Sequence, residues 1–80
     1  MPTILRLQSC RFYFYSHEPN EPPHIHVDRD NQSAKFWLTP VVLASNLGFS
    51  AKELKKIQWL VVEYQEHFME KWYGYFGSKS

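Results

Sequence analysis

Eighty residues with a hydrophobic fraction of 44% and an aromatic fraction of 18% limit the chain to one small core, about one helix covering one sheet, with rings supplying much of the buried area. A formal net charge of +1 provides no global field that would draw nucleic acid or a membrane surface, so any such partner has to be argued from local clusters. A single cysteine, Cys10, excludes an internal disulfide, and no apolar run reaches membrane-spanning length.

Residues 3–7 and 10–15 are rich in β-branched and aromatic residues and flank Gln8-Ser9, which reads as a hairpin. Alternate side chains of a strand share a face, so Phe12 and Phe14 point one way while Arg11, Tyr13 and Tyr15 point the other. The segment SHEPNEPP is a loop, in which Pro22-Pro23 forces an extended entry into the next strand. There, HIHVD places His24, His26 and Asp28 on one face and Ile25 and Val27 on the other. DRDNQS is turn-rich and SAKFWL resumes the alternation. Either a two-residue turn at Asp30-Asn31 or a four-residue loop over 29–32 sets Asp28 against Ser33, His26 against Lys35 and His24 against Trp37. Thr39-Pro40 breaks this strand, and residues 41–44 are either a short fifth strand or a turn of helix.

NLGFSAKEL is the best-specified local signal. Ser50 can cap a helix, Glu53 can complete a capping box, and Phe49 can staple onto Leu54. Leu54, Ile57, Val61, Tyr64, Phe68, Trp72 and Tyr75 then recur at helical spacing, predicting one helix from about Ala51 to Tyr73. Such a helix runs roughly 34 Å and a six-residue strand roughly 20 Å, so its last turns either overhang the sheet or fold back over the edge. The expected architecture is α+β. It comprises a small, mainly antiparallel four-stranded sheet, five-stranded if residues 41–44 are extended, with one long C-terminal helix packed on one face. Residues 1–80 read as a single domain with no internal repeat, and the start MPTILRLQ has no leader-like pattern, which places the chain in the cytoplasm.

With the helix over Leu5, Leu7, Phe12, Phe14, Ile25, Val27 and Phe36, the opposite face displays Arg6, Arg11, Tyr13, Tyr15, His24, His26, Lys35 and Trp37. Rings and cations of this kind suit stacking on unpaired RNA bases, but tyrosine, tryptophan and arginine equally suit a protein partner or a second copy. The small net charge favours the protein. His24 and His26 lie roughly 7 Å apart at Cα, workable for Zn or Ni, with Asp28, His17, Glu21 or His67 as further ligands. They also suit proton exchange on a phosphodiester, with Arg6, Arg11 or Lys35 stabilising phosphate charge. As structural groups they would bond the proline loop or face a partner, and a bare H-x-H spacing weights this reading above the other two.

Along the helix, Lys52, Lys55 and Lys56 come first and Glu63, Glu66 and Glu70 later, an order that runs against the helix dipole. It marks either a solvated face or an anion near the helix start. Glu63 and His67 form an i,i+4 pair of the kind usual on a helix surface.

Taken together, MPTILRL, EPPHIHVD, AKFWL, SNLGFSAKEL and EKWYGYFG resemble a family of small bacterial proteins of unknown function, marked by an amino-terminal MPTI stretch and a PPHxH motif. The resemblance covers nearly the whole chain and falls on Pro22, Pro23, His24, His26, Phe49, Ser50, Leu54 and Trp72. It implies a small cognate partner encoded beside the gene, in a toxin-antitoxin-like pair. Many similar sequences carry a histidine near the position of Tyr64, a departure that weakens any scheme needing a third imidazole from the helix. The leading expectation is an interaction module using the ring face or Trp72 and its aromatic neighbours. A ribonuclease-like enzyme using His24 and His26, and a metal-binding module with His24, His26 and Asp28 as ligands, are the alternatives; the residues leave open whether the chain is an enzyme.

Overall fold

A computed structural model describes residues 3–7, 9–15 and 21–77. His17, Gln8 and residues 16–20 of the proline loop lie outside them. The elements are β1 (Thr3–Leu7), β2 (Cys10–Tyr13), β3 (His24–Arg29), β4 (Gln32–Leu38), β5 (Val41–Leu47), α1 (Ala51–Glu63) and α2 (Gln65–Phe76). The strands form one antiparallel meander in the order β1-β2-β3-β4-β5.

Each hairpin is set by its turn. Asp30 adopts φ 54° between the paired residues Arg29 and Gln32, a left-handed conformation that aspartate tolerates better than most side chains. Ser9 does the same at φ 69° before Cys10. The two-residue turn at Asp30-Asn31 delivers the expected register, His24 opposite Trp37, His26 opposite Lys35 and Asp28 opposite Ser33. Thr39-Pro40 is itself a hairpin turn, because Leu38 pairs with Val41. Residues 41–47 are thus a full fifth strand, longer than the short one anticipated. Between Ser45, opposite Lys35, and Leu43, opposite Phe36, Ala44 is an extra residue, a bulge that shifts the pattern of the strand.

Cys10, Phe12, Phe14, Ile25, Val27, Ala34, Phe36 and Leu38 form the sheet side of the core, and Ile57, Val61, Phe68 and Trp72 the helix side. Leu5 and Leu7 are half-buried against it. Phe12 stacks on Phe68 with centroids 5.5 Å apart, and Phe14 meets Trp72 edge-on at 5.4 Å. Burial pushes the Cys10 thiol up from its ordinary pKa, partly offset by the charge of Arg29.

The capping box at the start of α1 is complete: Glu53 N–H donates to Ser50 Oγ at 3.2 Å and Ser50 N–H donates to Glu53 Oε1 at 3.0 Å. Glu53 also pairs with Arg29, tying the helix start to β3.

The single long helix is corrected to two. Tyr64, at φ −103° and ψ 17°, departs from helical geometry for one residue between α1 and α2. Its N–H still donates to Leu60 and its carbonyl accepts from Phe68, so the break is a bend with the hydrogen-bond ladder largely kept. The Gln65 side chain donates to the Leu38 carbonyl at this point. The bend lets α2 follow the sheet instead of overhanging it. Trp72 ends in the core, and after it the buried stripe continues through Phe76 while Tyr75 is exposed. Among the described residues, no helix is long and apolar enough to cross a membrane.

Candidate functional site

The sheet face opposite the helices is organised in three rows running across the strands. Arg6, Arg11, Asp28, Ser33 and Leu47 make the first, Tyr13, His26, Lys35 and Ser45 the second, and His24, Trp37 and Val42 the third. Neighbours in a row are cross-strand partners, close enough for side chains to touch.

In the first two rows, rings and charges are paired within the chain. The Arg11 guanidinium lies 4.5 Å from the centroid of the Tyr13 ring. Tyr13 donates its hydroxyl proton to Asp28 Oδ2 at 3.0 Å, and Asp28 Oδ1 is buried with no hydrogen-bond partner among the described residues. Burial first, then hydrogen bonds with Tyr15 and Asp28, hold the Tyr13 phenol well above its ordinary pKa of 10.0. His26 stacks on Tyr13, with centroids 5.4 Å apart and planes 20° from parallel, and meets Tyr15 edge-on at 4.7 Å. The imidazole of His26, half-buried, therefore sits between two phenols.

The third row is different, and Lys35 of the second row reaches into it. Lys35 Nζ lies over the Trp37 ring at 4.6 Å and bonds Glu21 Oε1 at 2.6 Å. The same Glu21 oxygen is 3.6 Å from His24 Nδ1. His24 itself is 0% exposed. Its Nδ1–H donates to the Pro22 carbonyl at 2.9 Å, which the Pro22-Pro23 bend presents to it. Its ring is closed in by Trp72 at 4.9 Å, His26 at 5.0 Å and Trp37 at 5.8 Å.

The strand from 24 to 28 is extended as expected, but the two imidazoles are not equivalent. The alternation rule places both on the open face. At the first residue of β3, however, Trp72 of α2 reaches the ring and buries it. Trp72, open in the sequence either to a contact with another chain or to folding back over the sheet, is a buried core residue linking Phe14 to His24.

Of the sequence candidates, the structure gathers Arg11, Tyr13, Tyr15, His26, Lys35 and Trp37 on one face, with Arg6 exposed at its β1 border. Val42 and Leu47, which the residue pattern does not assign to it, extend that face onto β5, the latter 69% exposed. Their parity depends on the Ala44 bulge, which no residue pattern in VVLASNL announces. Among the described residues, no group of three or more His, Cys, Asp and Glu side chains is arranged to hold a metal ion. His67 is half-buried beside the Phe68 ring.

A family model described as a domain of unknown function (DUF4160) matches residues 10–73, which span β2 through most of α2. No curated protein and no solved structure matches the chain.

Proposed function

The chain belongs to the DUF4160 family, and from its geometry we propose that it is a small interaction module whose ring face receives a cognate small protein, in a toxin-antitoxin-like pair. The observation that carries this reading is the state of the charges on that face. Lys35 is neutralised by Glu21, Arg11 lies on Tyr13, and Asp28 accepts from Tyr13. What the face offers outward is therefore the edges of Tyr15, His26 and Trp37, flanked by Val42 and Leu47, held in place before any partner arrives. Aromatic groups fixed by their neighbours lose little entropy on binding, and surfaces of this composition are typical of protein contacts.

The test is co-expression with any small protein encoded beside the gene. A stable complex is expected, and Trp37→Ala and Tyr15→Ala are expected to weaken it while leaving the circular dichroism spectrum unchanged. No complex, or one indifferent to both substitutions, refutes the reading.

A second reading, RNA cleavage, has one observation in its favour: His26 stands opposite Lys35 in register, an imidazole beside an ammonium that Glu21 would have to release. Burial of His24 and its bond to Pro22 speak against an exchange of protons between two histidines, so this reading rests on His26 alone. Cleavage by the wild type that is abolished by His26→Ala would support it.

A further inference from the structure

The outer surface of α1, on the side of the molecule away from the ring face, has a charge pattern centred on an exposed tryptophan. Trp59 is 66% exposed and Val62 52% exposed. Lys52, Lys55, Glu63 and Glu66 are also exposed, and among the described residues none of the four has an ion-pair partner. On α1, Lys52, Lys55 and Glu63 fall on one stripe with Trp59, two lysines before it and one glutamate after it, while Glu66 follows on α2 past the bend at Tyr64.

The spacing is symmetric about Trp59. Lys55 precedes it by four positions and Glu63, the last residue of α1, follows by four. A helix stripe of this kind is self-complementary when two copies run antiparallel about a two-fold axis. We propose that α1 is the interface of a homodimer, with the axis passing beside Trp59 and with Lys55 against Glu63 of the second copy. Beside Trp59 lies an open hollow of about 380 Å³ lined by Lys56, Leu60 and Glu63 as well as Trp59 itself, space for the indole of the other copy.

This arrangement also accounts for the charge order. Lysines at the start of α1 and a glutamate at its end each oppose the dipole of their own helix. In an antiparallel pair, each end meets the opposite charges and the opposite dipole end of the other copy, so the order that is mildly unfavourable in the monomer becomes favourable in the dimer. The 13 residues of α1 give an interface only about 20 Å long, at the small end of specific contacts, so the dimer is reversible and concentration-dependent.

Sedimentation equilibrium of the full chain, from about 10 µM to about 1 mM, tests it in the range expected of a small reversible interface. A monomer-dimer equilibrium is expected for the wild type, and Trp59→Asp is expected to be monomeric with an unchanged circular dichroism spectrum. Lys55→Glu and Glu63→Lys alone should each raise the dissociation constant on the order of tenfold, because two attractive pairs become repulsive. The double variant Lys55→Glu/Glu63→Lys should recover the wild-type value, and an equimolar mixture of the two single variants should form heterodimers.

A wild type that stays monomeric overturns the proposal. So does a dimer unaffected by Trp59→Asp, or a mixture of the single variants that fails to associate. Variants of Trp37 and Tyr15 on the opposite face should leave this equilibrium unchanged, so its failure and the failure of the partner reading are separable.

Discussion

Tyr13→Phe removes one hydroxyl from a buried position, and its cost can be worked from what that hydroxyl does. The main bond lost, beside the contact with Tyr15, is a donor to a carboxylate, Asp28 Oδ2, whose other oxygen is buried without a hydrogen-bond partner among the described residues. Hydrogen bonds to charged groups contribute about 1.5–3 kcal/mol, so a loss of about 2 kcal/mol is expected at neutral pH. In a domain of this size that lowers Tm by roughly 8–16 °C. The same residue makes a second, opposite prediction at alkaline pH. Its folded pKa lies above the ordinary 10.0, so between those values the native chain holds a proton that the unfolded chain has released. Stability conferred by that proton is complete below pH 10 and declines as pH rises beyond it. At pH 11 the decline is about 1.4 kcal/mol, one pH unit past the unfolded value. The wild type should therefore exceed Tyr13→Phe by about 2 kcal/mol at pH 7 and by well under about 1 kcal/mol at pH 11. Urea unfolding followed by circular dichroism at pH 7, 9, 10 and 11 measures the gap, and subtracting the variant removes the contribution of the other tyrosines and the lysines. A gap absent at pH 7, or constant to pH 11, refutes the reasoning.

Three further substitutions test the frame around the site. Trp72→Ala should cost about 3–5 kcal/mol by opening a cavity between Phe14 and His24, a large share of the total stability of a domain this size, and thermal melts should show it largely unfolded near 37 °C. Ser50→Ala deletes the cap of α1 and should lower stability by about 1 kcal/mol in urea titrations, with the ring face unaltered. Gly48→Ala should destabilise by more than about 1 kcal/mol, because φ is 100° and the new Cβ would lie 3.1 Å from Gln32 Cγ; a melt equal to the wild type would contradict this.

Features encoded by neighbouring residues were legible in the sequence. The capping box needs only Ser50 and Glu53, and the β3-β4 register needs only Asp30-Asn31 and the alternation on either side of it. What escaped depends on contacts between distant segments. Nothing in VVLASNL alternates, and its extended state is imposed by pairing with β4. The bend at Tyr64 has neither glycine nor proline to signal it, and the helical spacing of apolar residues runs straight through. At that point the Gln65 side chain meets the Leu38 carbonyl, a contact 27 residues apart in sequence. His24 is the most instructive case. Parity assigns it to the open face correctly as a register position, yet its accessibility is decided by Trp72, which lies on another element.

That difference between the two histidines shapes what the ring face can do. His24 serves as a fixed joint: its Nδ1–H is held by Pro22, its ring by Trp72, and Glu21 beside it carries the ion pair to Lys35. The chain entering β3 is thereby anchored to α2, and His26, two residues on, inherits a fixed position between Tyr13 and Tyr15. The histidine pair thus divides its labour, one ring holding the scaffold and the other facing outward. The α1 stripe around Trp59 lies on the other side of the sheet. A dimer formed there leaves both ring faces open, so self-association and capture of a partner need not compete. Two faces carried on one dimer would then engage a bivalent partner at a high effective concentration, a gain that needs no new contact on either face.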